Sequence, residues 1–475
     1  MGKRRTQPCP GCEQRDQRLR HLRDEVDALR ATVRDLQEKL AALAKDSSTS
    51  SKPPSSDIVK PPAPPGPDGQ PGRSIGGQPG HPMHQRAPFP PERLAGGPQT
   101  HYPELCPACG HGLQAHDGPE RVVQQVDIQE VPLVIEEHRA QPGWCPHCQK
   151  VHYAALPSVI ERGGLVGPRL TALIAFLKGV CHASFSTIRT FLRDVLQVTI
   201  SRGQLVEVIT KVSEALDDTY DEVLTRLPLE AFLNVDETGH KENGDRWWTW
   251  CFRAGLYTVF KIAPTRGTDV LLEVLGKEFD GVLGCDYFSS YRCYMRECDV
   301  SVQFCLAHLI RDVKFLTTLP DRRDRAYGER LLEALRQLFG VIHQGKGLWP
   351  SELRRRLRAA RDRVLEAGTQ DVPDTRHSRT LAKRFEQHGA AYFEFITTPE
   401  VGPTNNLAEQ AIRFVVLDRQ VTQGTRGENG RRWCERIWTV IATCCQQGRS
   451  VFDFLYASVK AWFHRQPGPS LLGTN

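Results

Sequence analysis

Leucine and valine recur at alternating intervals of three and four over Leu19, Leu22, Val26, Leu29, Val33, Leu36, Leu40 and Leu43. This is a heptad seam, with Leu19, Val26, Val33 and Leu40 at a positions and Leu22, Leu29, Leu36 and Leu43 at d positions. Branched residues at two a positions and leucine at every d position predict a parallel two-stranded coiled coil. The pattern then breaks. Residues 47 to 99 hold fourteen of the 33 prolines and almost no apolar periodicity, which predicts an extended linker.

Helical periodicity returns between Leu165 and Leu227. Leu170, Leu173, Ile174, Leu177 and Val180 share one face, Ile188, Phe191, Leu192 and Val195 a second, and Leu205, Val208, Ile209 and Val212 a third. The stretch from Ser184 through Ser201 to Gln204 has helix-turn-helix spacing, with Ser201 capping the second helix. Plain three-helix packing accounts for the same spacing. From Glu230 the period changes to that of strands. Ala231–Asp236 reads as a buried strand ending on an aspartate, and Trp247–Arg253 with Tyr257–Ile262 as a hairpin. Asp269–Leu275 reads as a short helix, and Gly281–Asp286 as a second strand ending on an aspartate. Val300–Cys305 is a further strand leading into a helix with His308 and Arg311. Residues 320 to 398 are helical and arginine-rich, and a last helix begins near Thr404–Glu409, capped by Thr or Asn.

Length and charge add little until they are localised. The 475 residues exceed one compact core and predict about three or four units. A net charge of +6 is a mild basic bias. Between Pro320 and Leu365, however, twelve Lys/Arg face six Asp/Glu, and Arg354, Arg358 and Arg361 fall on one helical face. That face is a candidate phosphate-binding surface, or a merely solvated one. No run of eighteen apolar residues occurs, and the basic residues after Met1 are not followed by an apolar stretch. Neither a membrane span nor a signal peptide is therefore expected.

Fifteen cysteines without an export signal point to zinc or free thiols. Cys106-Pro107-Ala108-Cys109 and Cys145-Pro146-His147-Cys148 are two knuckles 35 residues apart, with strand expected over Val122–Val134. Four thiolates in two pairs suit a structural zinc, with His111 and His147 as bystanders. Cys9 and Cys12 precede the seam and could meet their counterparts across a dimer, or remain free thiols.

Among the 56 acidic residues, Asp236, Asp286 and Glu409 stand apart by context. Two strand-borne aspartates and a helix-borne glutamate can hold two magnesium (or manganese) ions roughly 3.5–4 Å apart for in-line phosphoryl displacement.

Together these marks resemble the insertion sequence 66 family of DDE transposases, over nearly the whole chain. They are the zipper, Ser51-Lys52-Pro53-Pro54-Ser55-Ser56-Asp57, Gly77-Gln78-Pro79-Gly80-His81 and the two cysteine knuckles. Val235-Asp236-Glu237-Thr238, Asp286-Tyr287-Phe288-Ser289-Ser290-Tyr291, Cys305-Leu306-Ala307-His308-Leu309-Ile310-Arg311 and Thr404-Asn405-Asn406-Leu407-Ala408-Glu409 complete the set.

The resemblance implies that Asp236, Asp286 and Glu409 are the catalytic triad, cutting element ends and joining them to target DNA. His308, Arg311 and Arg413 become candidate DNA contacts. The family commonly has Arg directly after the glutamate, where this chain has Gln410. The implied partners are double-stranded DNA, a second copy through the zipper, and accessory proteins of the same element. The implied location is the bacterial cytoplasm, at the nucleoid.

The expected fold is multidomain α+β: a coiled coil (1–45), a linker (46–100), a zinc ribbon (101–156) and a helical, candidate helix-turn-helix domain (157–228). An RNase H-like catalytic domain follows (229–319 and 401–475), interrupted by a helical insertion (320–400). A non-catalytic DNA-binding regulator and a structure-selective nuclease are the alternatives. Three acids in their expected contexts disfavour the first, and the zipper, ribbon and insertion disfavour the second.

Overall fold

The computed structural model describes residues 10–43, 89–93, 108–111, 124, 132–398 and 400–473. The chain divides into two units, Lys60–Glu137 and the remainder, Met1–Val59 with His138–Asn475. In the smaller unit the backbone N–H of Phe89 donates to Gln124 Oε1 at 2.6 Å, and the Phe89 carbonyl accepts from Gln124 Nε2 at 3.0 Å.

The larger unit opens with α1 (Pro10–Leu43), which carries the whole predicted seam. Its eight apolar residues are 43–79% exposed, an open stripe along a helix whose other faces are charged. Leu29→Gln with Leu36→Gln puts polar side chains into that seam. This double variant is expected to turn a dimeric residue 1–50 segment monomeric in light scattering, and an unchanged mass would locate the dimer contact elsewhere.

Next comes a hairpin, β1 (Pro142–Cys145) and β2 (Lys150–Tyr153), with Cys145 opposite Lys150. The strand expected over Val122–Val134 lies largely outside the described residues, and residues 132–134 form none. Helices α2 (Ser158–Gly163), α3 (Pro168–Gly179), α4 (Phe185–Asp194), α5 (Arg202–Ala215) and α6 (Asp217–Arg226) then follow, with α3, α4 and α5 on the three apolar faces that the 3.6-residue period predicts. Ser184 caps α4, accepting from the Thr187 N–H. Ser201 and Gln204 form a reciprocal capping box at the start of α5. Ile174, Ile188, Leu192, Leu205 and Val212 are fully buried between these helices.

The centre is a mixed five-stranded sheet of β3 (Phe232–Glu242), β4 (Asp245–Arg253), β5 (Thr258–Ala263), β6 (Val282–Cys285) and β7 (Ser301–Phe304), in the order β5-β4-β3-β6-β7. The first three form the antiparallel meander that the sequence predicts, and β6 and β7 run parallel to β3. Parallel neighbours need crossovers. The chain reaches β6 through α7 (Thr268–Leu275) and β7 through α8 (Ser289–Cys298). Gly284 is required where β6 meets β3, because a Cβ there would lie 2.7 Å from Asn234 Nδ2.

Beyond the sheet run α9 (Leu306–Thr317), α10 (Arg322–Gln344), α11 (Pro350–Thr369), α12 (Arg376–His388), α13 (Asn406–Thr422), α14 (Glu428–Gln447) and α15 (Val451–Phe463). Helix α14 covers the β5 edge in an unusual way. The N–H groups of Thr258, Phe260 and Ile262 donate to Thr443 Oγ1, Thr439 Oγ1 and Glu435 Oε1 at 3.1, 3.0 and 2.7 Å. Two residues of strand advance about as far as four of helix, roughly 6–7 Å. A row of helix side chains thus satisfies an edge that would otherwise invite another strand. Helices α3 and α5 pack against α15, and α5 also against α14. No described helix is long and apolar enough to cross a membrane.

Candidate functional site

Asp236 stands in the middle of β3, which continues to Glu242, and not at the strand end that its apolar run predicts. The run stops there because the burial changes, not because the strand does. Parallel pairing with β6 ends at Asn234, opposite Gly284, so Asp236 lies just past the parallel edge. Asp286 directly follows Cys285, the last residue of β6. Both carboxylates therefore sit where the parallel strands end, the place where open sheets with helical crossovers expose a crevice. Asp286 Oδ1 accepts from the Phe288 N–H at 2.9 Å, and Asp236 Oδ1 from the Glu237 N–H at 3.0 Å.

The third acid comes from α13. Glu409 sits in the first turn of this helix, where a negative charge meets the positive end of the helix dipole. Neither Thr404 nor Asn405 caps the helix with its side chain, contrary to the sequence expectation. Asn405 is buried and bridges to the sheet instead. Its Oδ1 accepts from Asn234 Nδ2, and its Nδ2 donates to the Val235 carbonyl, both at 2.8 Å. That carbonyl is free to accept because β6 pairs no further than Asn234.

His308 and Arg311, the candidate DNA contacts on α9, both turn to Glu409. His308 Nε2 lies 2.8 Å from Glu409 Oε1, and Arg311 Nη2 lies 3.6 Å from the same atom. The His308 hydrogen bond, with help from Arg311, holds the Glu409 carboxyl below its ordinary range against the opposing effect of burial. Asp236 behaves in the opposite way. Burial comes first, then the charges of Glu237, Asp286 and Glu409, and together they push its carboxyl well above the usual range. Asp236 thus lies near enough to feel the charges of both other acids singled out in the sequence. Oxygen donors that repel one another when unoccupied suit a hard divalent cation. Among the described residues, however, the ligand atoms that lie within 4.8 Å of one another are the Cys305 thiol, a His308 ring nitrogen and a Glu409 oxygen, a group that includes neither Asp236 nor Asp286.

Three further participants were not legible as such. Glu237 is buried and is held by Tyr291 Oη and by Arg266, whose Nε lies 2.5 Å from Glu237 Oε1. Arg266 also stacks 3.6 Å over the Phe288 ring, beside Asp286. Glu237 and Tyr291 stand in two of the sequence motifs, but nothing in the sequence pairs them with each other or with Arg266.

The insertion reaches the site through α12. Tyr287 Oη lies 2.8 Å from His388 Nδ1, and the Arg384 guanidinium sits 3.8 Å over the Tyr287 ring. Arg384 also pairs with Asp312 at 2.7 Å. Arg354, Arg358 and Arg361 lie one helix away on α11, which packs on α10 and α12. Arg354 and Arg358 are exposed and share a cleft of about 340 Å³ with Ser351 and Arg355, while Arg361 pairs with Asp362 at 2.8 Å. Arg413 is exposed on α13, one turn beyond Glu409.

Of the predicted zinc ligands, Cys106 lies outside the described residues, as does Cys9. Cys109 is an exposed residue in a turn, and Cys145 and Cys148 occupy the β1–β2 knuckle. The Cys148 N–H, then its thiol and the His147 N–H, lower the Cys145 pKa. Cys148 Sγ lies 3.2 Å from His152 Nε2, a histidine that the motif did not single out.

A mixed sheet flanked by helices, with acidic side chains where its parallel strands end, defines an α+β protein. The sequence model of the family described as Transposase IS66 family matches residues 163–432, and the chain belongs to that family. Residues 10–87 match a family of unknown function, DUF6444. No curated protein matches the chain. The family is one of transposases, so the function lies in transposition.

Proposed function

We propose that the chain is the catalytic DDE transposase of its element, cutting element ends and joining them to target DNA by two-metal phosphoryl transfer. The observation that carries this reading is the placement of Asp236 and Asp286 where the parallel strands end, near enough to the Glu409 helix that the charges of Asp286 and Glu409 help to push the Asp236 carboxyl up. The central β3, with an antiparallel meander on one side and two parallel strands on the other, supports an RNase H-like catalytic domain split by the helical insertion.

Asp236, Asp286 and Glu409 would hold the divalent ions. When bound, these supply activation of water or a DNA 3′-hydroxyl and stabilisation of the leaving oxygen. The protein's own part is positional. Asn405 ties the start of α13 to β3. His308 and Arg311 fix the rotamer and charge of Glu409, and Arg266 neutralises Glu237 so that one acid of the crevice is already paired. No Ser or Tyr nucleophile is needed. Incubating the purified protein with labelled element ends and magnesium or manganese tests this. Nicked ends with 3′-hydroxyls and joined products are expected. Binding with no cleavage would favour a DNA-binding regulator, and cleavage without joining a nuclease.

The knuckle cysteines support a structural zinc held by Cys106, Cys109, Cys145 and Cys148, because the Cys145 thiol is already biased toward thiolate by backbone N–H groups. One zinc per reduced chain is expected by metal analysis, lost in the Cys145→Ser, Cys148→Ser double variant. A zinc-free, folded wild-type chain would remove the assignment. The open stripe of α1 supports homodimerisation.

A further inference from the structure

Strand β3 and helix α13 carry two of the three acids, and they run side by side away from them. Asn405 meets Val235 near the start, Arg419 Nη1 lies 3.2 Å from Thr238 Oγ1 farther on, and the Thr425 N–H donates to the Lys241 carbonyl at 2.9 Å at the far end. There they enclose an open cleft of about 620 Å³, lined by Gly239, His240, Lys241, Arg246, Arg419 and Gln423 among others.

Three of these residues are cations. Lys241 and Arg246 are exposed, opposite one another across the β3–β4 hairpin, and Arg419 is half-buried. Among the described residues none of the three makes an ion pair. The nearby Glu242 is already engaged by Arg431 at 3.0 Å. His240 adds no charge, because burial and Arg419 lower its pKa to about 4.

Backbone contacts join the walls of the cleft. Asn243 and Gly244 both have positive φ, the requirement of a tight two-residue hairpin. The hairpin is pinned by the Asn243 N–H to the Thr425 carbonyl at 3.0 Å. Gly424 makes this approach feasible, since a Cβ there would clash with the Lys241 carbonyl.

We propose that Lys241, Arg246 and Arg419 clamp the DNA backbone as it leaves the carboxylate cluster. The inference rests on the catalytic reading of the acids for its register, and on the unpaired cations for its ligand. Five strand residues at ~3.3 Å each put Lys241 about 17 Å from Asp236. Ten helical residues at ~1.5 Å put Arg419 about 15 Å beyond Glu409. A DNA strand carries one phosphate per ~3.4 Å of helix axis, so the clamp meets roughly the fourth or fifth phosphate from the scissile one. Contacts of this kind set register without reading bases.

The test uses full-length protein in the cleavage-inactive Asp286→Asn background, with duplexes of the element's own end. Lys241→Gln with Arg246→Gln removes two exposed cations, so the melting temperature should not change. The dependence of log binding constant on log salt should become shallower by about 1.8. Single methylphosphonates walked along both strands should weaken binding about four or five positions from the cut, and lose that effect in the double variant. An unchanged salt slope overturns the clamp. A shallower slope with sensitive phosphates far from the cut leaves the cleft as a DNA contact but overturns the assignment of the acids.

Discussion

Asp236→Asn, Asp286→Asn and Glu409→Gln are each expected to reduce cleavage and strand transfer by more than about a thousandfold, a loss of ~4 kcal/mol in transition-state stabilisation. Each replaces a carboxyl group that can ionise and bind a cation by an amide that cannot ionise. Binding to element ends should survive, because the cations proposed to contact DNA lie elsewhere. Asp236→Asn carries a second signature. Its folded-state pKa is raised above that of an unfolded aspartate, so the stability owed to its protonated form is present at low pH and lost as pH rises through the folded value. The metal-free Asn variant should therefore be more stable than the parent at pH 8, and the gap should close toward pH 4. Strand transfer at the parental rate by any of the three would remove the assignment.

Asn405→Ala is expected to have the next largest effect, although this residue is not itself a metal ligand in the proposed site. The substitution leaves Asn234 Nδ2 and the Val235 carbonyl without their buried partner, at a cost of about 1–3 kcal/mol. It also frees the first turn of α13, and a misplacement of Glu409 by ~1 Å can cost about a hundredfold in rate. Denaturant unfolding and single-turnover cleavage should thus both change. Asn405→Asp keeps the acceptor and loses the donor, and should recover only part of each. A stable Ala variant with full activity would show that the link between β3 and α13 does not position the acid.

Much of this architecture was readable from periodicity. The helices after Leu165, the meander around Trp247–Ile262 and the apolar runs before Asp236 and Asp286 have burial patterns that local spacing reveals. Helix α8 was not legible, because it buries Tyr291 and Tyr294 where the helical period looks for aliphatic residues. The true end of β3 was also hidden. Beyond Asp236 its residues turn polar, since Glu237, His240 and Glu242 are buried on partners distant in sequence. The acids stood out in the sequence by context, Asp236 and Asp286 because each ends an apolar run and Glu409 because it opens a helix. Their supports were not: Arg266, Asn405 and the Lys241–Arg246–Arg419 cleft exist only once the sheet has brought β3, β4 and α13 together. His308 and Arg311 show the same limit. Their spacing places them on one helix face, but only the fold shows that this face looks at Glu409.

The most direct test of the central claim is where a divalent cation binds. Ferrous iron substituted for magnesium, with ascorbate and peroxide, cuts a polypeptide next to the bound metal. Protein fragments ending near Asp236, Asp286 and Glu409 are expected, suppressed by excess magnesium and absent from Asp286→Asn. Cutting confined to the cysteine knuckle, or unchanged in that variant, would contradict the account.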